Sequence, residues 1–287
     1  MQLPFQQVDV FTQTPLQGNP LAVFWLGTHT LDTQLLQCIA REMNLSETIF
    51  VTDLPDPNHA YTVRIFTTEQ ELPFAGHPTI GAFYVLQRHG YLKADGFQLS
   101  PAGVTRLSMD SQHMIWFSPP RGMVKDIDGS WSRLAAALSL DISLLSYDRP
   151  PMIAGTGLMQ LMVPLSQDRV AEIEPDFSQL ALLLSDWHVN GVYIVAQSSS
   201  GEYHARFFGG GRTITEDPAT GSAAAAWGTY LLQTTGATTA ERFLINQGEE
   251  MGRPSQLWVR LNVVSPGSLE IGGHAVPVIA GTFSMPD

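Results

Sequence analysis

Glu71-Leu-Pro73-Phe-Ala-Gly76-His77 and Glu216-Asp217-Pro218-Ala-Thr220-Gly221-Ser222 decide the fold of this chain. Glutamate, proline and glycine recur at the same internal spacing, and each matched pair lies 145 positions apart, about half of the 287 residues. Each segment follows an Arg-x-Phe run, Arg64-Ile-Phe66 or Arg206-Phe-Phe208, and each precedes an apolar stretch that reads as a helix. Those stretches end alike, as Tyr84-Val-Leu-Gln87-Arg-His-Gly90 and Tyr230-Leu-Leu-Gln233-Thr-Thr-Gly236. A repeat at half-length, present twice, is not the signature of a solenoid, which needs a shorter period and more copies. It predicts two homologous domains facing each other across a pseudo-twofold axis, with a cleft between them.

Outward from the repeat, the chain reads as short strands with a few helices. Phe5 to Phe11, Leu21 to Trp25, Thr48 to Thr52 and Tyr61 to Phe66 are β-branched or aromatic-rich runs bounded by turn formers. Leu35, Leu36, Ile39 and Met43 recur at helical spacing over about 32–43, with Thr30 or Asp32 as the N-cap. Ser118-Pro-Pro-Arg-Gly122 excludes both helix and central strand and marks the boundary. The expected domains are 1–120, with a strand at about 275–287 returning to it, and 121–274. In the second, Trp131 to Leu140 reads as a helix, and Leu158 to Val163, Val192 to Ala196 and His204 to Phe208 read as strands, with a hairpin loop at Ser198-Ser-Ser-Gly201.

Composition narrows the function. Hydrophobic residues at 44% and charged residues at 15% describe a globular chain. A formal charge of −12 argues against a nucleic-acid partner, whose phosphates require clustered cations. The single cysteine, Cys38, excludes an intrachain disulfide and any two-thiol mechanism, and its place in a helical pattern reads as a small buried hydrophobe. The longest apolar runs, Leu180 to Leu184 and Ala223 to Trp227, are too short to span a bilayer. The N-terminus alternates like a strand and lacks the regions of a signal peptide, so a cytoplasmic location is the expectation.

The repeat also suggests chemistry. Gly76 and Gly221 stand where a strand turns into a helix, leaving backbone N–H groups and the positive end of the helix dipole open to an anion. Two such termini suit a substrate carboxylate or a developing enolate; the plainer alternative is that both glycines only permit a positive φ. His77, Asp217 and Ser222 stand beside them. A Ser-His-Asp hydrolase is a weaker alternative, because Ser222 lacks the Gly-x-Ser-x-Gly elbow. His77 has no second ligand at metal-binding spacing, and Gly209-Gly-Gly-Arg212 lacks the ending of a phosphate loop, so neither metal nor nucleotide cofactor is expected. Glu47, in Arg41-Glu-Met-Asn44-Leu-Ser46-Glu47-Thr48, falls at a helix-to-strand junction, where partial burial raises a carboxyl pKa toward the range of a general base.

Together, Gly18-Asn19-Pro20, Asn44-Leu-Ser-Glu47-Thr, Arg64-Ile-Phe-Thr, Glu71 to Gly81, Glu216 to Ser222 and Gln247-Gly-Glu-Glu-Met-Gly-Arg253-Pro-Ser255 resemble the PhzF-like isomerases of phenazine biosynthesis, over essentially the whole chain. The resemblance implies an α+β, diaminopimelate epimerase-like fold, each domain a barrel-like sheet wrapped around a central helix. The helices after Gly76 and Gly221 would be the central ones. In the epimerase branch cysteines stand where Ala75 and Thr220 stand here, which excludes two-thiol racemase chemistry. The family's reference reaction isomerises trans-2,3-dihydro-3-hydroxyanthranilate without cofactor. The resemblance makes Glu47 the acid/base and has His77 and Asp217 contact or orient the substrate. It gives the substrate carboxylate to Gly76, His77, Gly221 and Ser222, with Thr220 beside them, and implies a homodimer acting on a small carboxylate-bearing molecule. Gly209-Gly-Gly-Arg-Thr213 departs from the family, which usually carries a proline there, and puts the reference substrate in question. A ligand-binding or interaction protein on the same fold is the alternative from another class.

Overall fold

In the computed structural model, Met1–Ser118 with Gly272–Asp287 form one compact unit and Pro119–Ile271 form a second. The residues described are all except 28, 55, 57–58, 128, 130, 146–147, 200, 211–214, 237 and 286–287. Gly211 to Thr213 of the departing loop and Ser200 of the expected hairpin loop therefore lie outside the described residues.

The first unit begins with β1 (Gln2–Val10) paired antiparallel to β2 (Asn19–Trp25) and, on its other side, to the C-terminal β18 (Ala275–Ser284). Helix α1 (Thr33–Met43) crosses over to β3 (Glu47–Asp53), parallel to β2. β4 (Ala60–Phe66) returns antiparallel and carries the two-residue β5 (Glu71–Leu72). Helix α2 (Gly76–Arg88) then leads to β6 (Asp95–Ser100), parallel to β4, followed by β7 (Gly103–Met109) and β8 (Ile115–Phe117).

The second unit repeats this ladder. β9 (Met123–Asp126), β10 (Met152–Gly155) and β11 (Met159–Leu165) pair antiparallel in turn. α3 (Trp131–Ala137) lies between the first two, and α4 (Phe177–Asp186) makes the crossover to β12 (Gly191–Ser199), parallel to β11. β13 (Glu202–Gly209) and the short β14 (Glu216–Asp217) precede α5 (Gly221–Thr235). β15 (Glu241–Gln247), parallel to β13, and β16 (Ser255–Leu261) follow, and β17 (Leu269–Gly273) leads toward β18. Antiparallel and parallel pairings thus recur in the same order, as a duplicated unit requires.

α2 touches β18, β1, β2, β3 and β8, strands from both ends of its sheet, and α5 touches β9, β10, β11 and β16 of its own. Each sheet therefore wraps around a helix, which explains why both helices are apolar almost all round and almost wholly buried. Gly81 allows the close approach in the first unit: an added Cβ would collide with Leu21 and crowd Val8 and Val10. Alternate residues of β2, Ala22 and Phe24, face outward into a second cluster with Leu36, Ile39 and Ala40 of α1. A strand buried on both faces reads as a continuous apolar run, as Leu21 to Trp25 does.

Local details correct the sequence reading in places. Asp32, not Thr30, caps α1, its carboxylate accepting from Leu35 N at 2.8 Å. Cys38 is exposed rather than buried. The buried stripe of α1 is Leu36, Ile39 and Ala40, and two residues past Leu36 the helix has turned by about 200°. α3 stops at Ala137, short of Leu140, because Ser139 adopts a left-handed φ of 52°. α4 went unread as a helix: Leu180, Leu183 and Leu184 are its buried stripe, and Asp176 caps it. No helix among the described residues is long and apolar enough to cross a membrane.

Candidate active site

β3 alternates, so Thr48 and Phe50 face away from α2 while Glu47, two residues before Ile49, faces with it. The turn delivering Glu47 is fixed from both sides. Asn44 closes α1 in the left-handed conformation, its N–H donating to Ala40 O at 3.2 Å. Ser46 Oγ donates to Asn19 Oδ1 at 3.1 Å, and Asn19 is wholly buried. Gly18, with φ of 68°, comes so close to the Val10 carbonyl that any side chain there would clash. The Gly18-Asn19-Pro20 and Asn44-Leu-Ser-Glu47 blocks are thus one structural feature.

Glu47 meets His77, the second residue of α2. Glu47 Oε2 lies 3.5 Å from His77 Nδ1, with side-chain exposures of 15% and 5%. Burial pushes the His77 imidazole pKa down to about 3, so the ring is neutral at physiological pH. Its Nε2 is buried and has no hydrogen-bond partner among the described residues. The residue before α2 is Ala75, which has no side chain to cap the first-turn N–H groups.

In the second unit Thr220 precedes α5 and likewise makes no side-chain cap. Its hydroxyl instead donates to Asp217 Oδ2 at 2.5 Å. Gln247, wholly buried, underlies this turn: its Nε2 donates to Asp217 O at 2.8 Å and to Thr220 Oγ1 at 3.1 Å, and its Oε1 accepts from Thr220 N at 3.3 Å and from Tyr193 at 3.1 Å. Burial, and secondarily the Asp217 charge, drives the Tyr193 phenol pKa upward, keeping it a neutral donor. Ser222, the second residue of α5, receives a hydrogen bond from Gln160 Nε2 at 2.8 Å. An amide cannot take a proton from a serine hydroxyl, so this contact provides no base for the hydrolase alternative.

The repeated Glu and Arg prove to be scaffold. Arg64 holds Glu71 through two bonds, at 2.7 and 2.6 Å, and Arg206 holds Glu216 at 2.7 and 3.0 Å. Each fork also stacks over a phenylalanine two residues on, Phe66 or Phe208. These pairs pin β5 and β14, and so set the approach to the two helices. Gly76 and Gly221 are first residues of their helices and neither has a positive φ, against the plainer reading of them. Among the described residues no group of three or more His, Cys, Asp or Glu side chains is arranged to hold a metal ion.

The matched ladders reveal one asymmetry. Arg64 pairs with Phe50 and Arg206 with Ile194, so three residues back along each strand Glu47 corresponds to Gly191. An added Cβ at Gly191 would collide with the Phe207 ring. Only the first copy carries the carboxylate. Sequence reasoning also missed Asn19, Gln160 and Gln247 as site-building residues. Asn19 and Gln247 lie inside the Gly18-Asn19-Pro20 and Gln247-to-Ser255 motifs, whereas Gln160 has no local signal.

Duplicated units with a central helix apiece, a carboxylate in one copy and no cysteine beside either helix define an epimerase-type isomerase scaffold. The chain belongs to the PhzC-PhzF family, phenazine biosynthesis-like proteins, whose model matches residues 8–281. A Mesorhizobium japonicum protein described as an uncharacterized isomerase is 35% identical, over 95% of this chain and 96% of its own. The trans-2,3-dihydro-3-hydroxyanthranilate isomerase of Pseudomonas fluorescens is 31% identical, over 97% of this chain and 98% of its own. The structure of a Pseudomonas aeruginosa protein described as a predicted epimerase superposes with a TM-score of 0.83 at 30% identity, covering 99% of this chain and 100% of that one. This chain is accordingly an isomerase.

Proposed function

We propose that this isomerase moves a proton between two carbons of a small carboxylate-bearing substrate, without a cofactor, using Glu47 as the single acid/base. The observation that carries this reading is the Glu47–His77 pair, with a neutral imidazole beside the carboxylate and Gly191 at the corresponding position of the other copy. A racemase that deprotonates one face and reprotonates the other needs two bases. One base suits transfer along one face of a conjugated system. Glu47 takes the proton as one C–H bond breaks, the electron pair shifts through the adjoining double bonds, and the same carboxyl group returns the proton to a second carbon. His77 orients Glu47 and the substrate rather than carrying charge. The backbone amides of Gly76 and His77 in the first unit, and of Gly221 and Ser222 in the second, are each open to a substrate carboxylate, and Asp217, held by Thr220, orients substrate at the second.

The relative in Pseudomonas fluorescens supplies the first substrate to try, trans-2,3-dihydro-3-hydroxyanthranilate. Proton NMR in D₂O with that compound and related cyclic amino acids tests the reading. Deuterium should enter a carbon position with wild type, and Glu47→Gln should lower the rate by about 10²–10⁴-fold. Exchange undiminished in Glu47→Gln would end the proposal.

A further inference from the structure

The second residue of each central helix meets a polar side chain from the strands beside it. In the first unit His77 meets Glu47, and in the second Ser222 meets Gln160. The partners come from different strands of the repeated ladder. Phe24 and Val163 flank Phe50 and Ile194 in the parallel pairings, so Gln160 corresponds to Leu21. Leu21 is an ordinary apolar contact for Gly81 of α2. Where the second copy has Gly191 in place of a carboxylate, the neighbouring strand carries an amide.

That amide is held under unusual conditions. Gln160 is 1% exposed. Its Nε2 donates to Ser222 Oγ, while its Oε1 is buried and has no partner among the described residues. An unpaired buried carbonyl is destabilising, and most such groups in folded proteins are satisfied. Leucine is compatible with the same ladder position in the first unit, so the fold itself does not demand an amide there.

We infer that Gln160, steadied by Ser222, determines substrate specificity at the N-terminus of α5. Its free amide oxygen accepts a hydrogen bond from a hydroxyl or amino substituent that the substrate carries away from the reacting carbons. The inference rests on the reading of the α5 N-terminus as a substrate-binding element. It adds a neutral acceptor to donors that bind only the carboxylate, and so distinguishes substituted ring acids from plain ones.

Calorimetric binding of four stable probes tests it: 3-hydroxyanthranilate, anthranilate, 3-hydroxybenzoate and benzoate, each with wild type, Gln160→Leu and Gln160→Met. Gln160→Leu should weaken 3-hydroxyanthranilate by about 10–100-fold and benzoate by less than about threefold. The single-substituent probe that shares the larger loss identifies the group read. Equal weakening of all four, or of none, overturns the inference. Thermal melts give a readout independent of any ligand. Removing an unsatisfied buried amide should leave Tm at or above the wild-type value. A fall of more than about 3 °C in both variants makes Gln160 a scaffold group and overturns the inference. If no probe binds wild type, the melts decide. Persistent exchange in Glu47→Gln sinks the proton-shuttle reading alone, because the Gln160 measurements involve no turnover.

Discussion

His77 Nδ1 lies 3.5 Å from Glu47 Oε2, in surroundings dry enough that the imidazole stays neutral down to a pKa of about 3. A neutral ring cannot offset the charge of a carboxylate. On the proposed reading it acts on Glu47 through position, and the carboxyl group is the pair's proton carrier. An imidazolium at the same place would form an ion pair with Glu47 and hold it away from a carbon acid.

Burial of a neutral histidine makes stability depend on pH with a definite sign. Unfolded, His77 takes up a proton near its ordinary pKa of about 6.5; folded, it resists protonation to about 3. The unfolded state therefore binds more protons between those values, and stability falls as pH drops through that window. Urea denaturation at pH 7 and pH 4.5 should show wild type losing about 1–3 kcal/mol more than His77→Asn. Equal losses would mean that the ring protonates in the folded state. Histidine carbon shifts in the NMR spectrum, unchanged from pH 7 to 4.5, are the direct check.

His204 predicts the opposite dependence. Its Nδ1 lies 2.9 Å from Asp168 Oδ1 and its Nε2 lies 2.8 Å from Glu250 Oε1. The hydrogen bond to Glu250, ahead of opposing desolvation and the bond to Asp168, raises its pKa to about 9. The charged imidazole ties the turn containing Glu250 to the loop before α4. Its contribution is complete below about pH 6.5, declines above that, and is lost once pH passes about 9. Allowing for solvent screening of a partly exposed cluster, it amounts to about 1–2 kcal/mol. Denaturation midpoints of wild type and His204→Gln should differ at pH 6 and converge by pH 10. A constant gap would leave the charge no part in stability.

What the sequence disclosed, and what it hid, follows from range. The Glu-Pro-Gly repeat is local, so its spacing reported the duplication, both central helices and the loops before them. Local sequence marked Glu47 only as a carboxylate at a helix-to-strand junction, and its meeting with His77 was not legible, because nothing near it in sequence records that β3 lies beside α2. The pairing of Ser46 with Asn19 and of Ser222 with Gln160 joins residues 27 and 62 positions apart. Such contacts are set by strand order and have no periodicity to read. Cys38 was misread for a different reason: Leu35 and Ile39 lie within one turn of it, but the buried stripe centres on Leu36, Ile39 and Ala40, which leaves Cys38 outside it.

The duplicated Arg–Glu forks should be unequal in strength. Arg64 and Glu71 are 26% and 27% exposed, whereas Arg206 and Glu216 are 10% and 18% exposed. Arg206 Nη1 also donates to Ile173 O at 2.8 Å. Removing one partner of the drier pair leaves a charge more poorly solvated. Glu216→Gln should cost about 2–4 kcal/mol and Glu71→Gln about 1 kcal/mol, measured by urea denaturation at neutral pH. The reverse order would show that solvent reaches the second fork more freely than its geometry indicates.

The Ser46–Asn19 bond should control rate rather than stability. Ser46 immediately precedes Glu47, and its hydroxyl is held at 3.1 Å by an asparagine that is wholly buried at the start of β2. Releasing it lets the Glu47 backbone drift by fractions of an ångström, and carbon acids are sensitive to such misplacement. Ser46→Ala should lower the exchange rate by about 10-fold, with a KM change below about threefold. Asn19→Ala should lower it by at least a similar factor, and the double variant by hardly more than Asn19→Ala alone, because Ser46→Ala removes a bond that Asn19→Ala has already broken. Multiplicative losses in the double variant would mean that the two residues act separately and that their bond does not position Glu47.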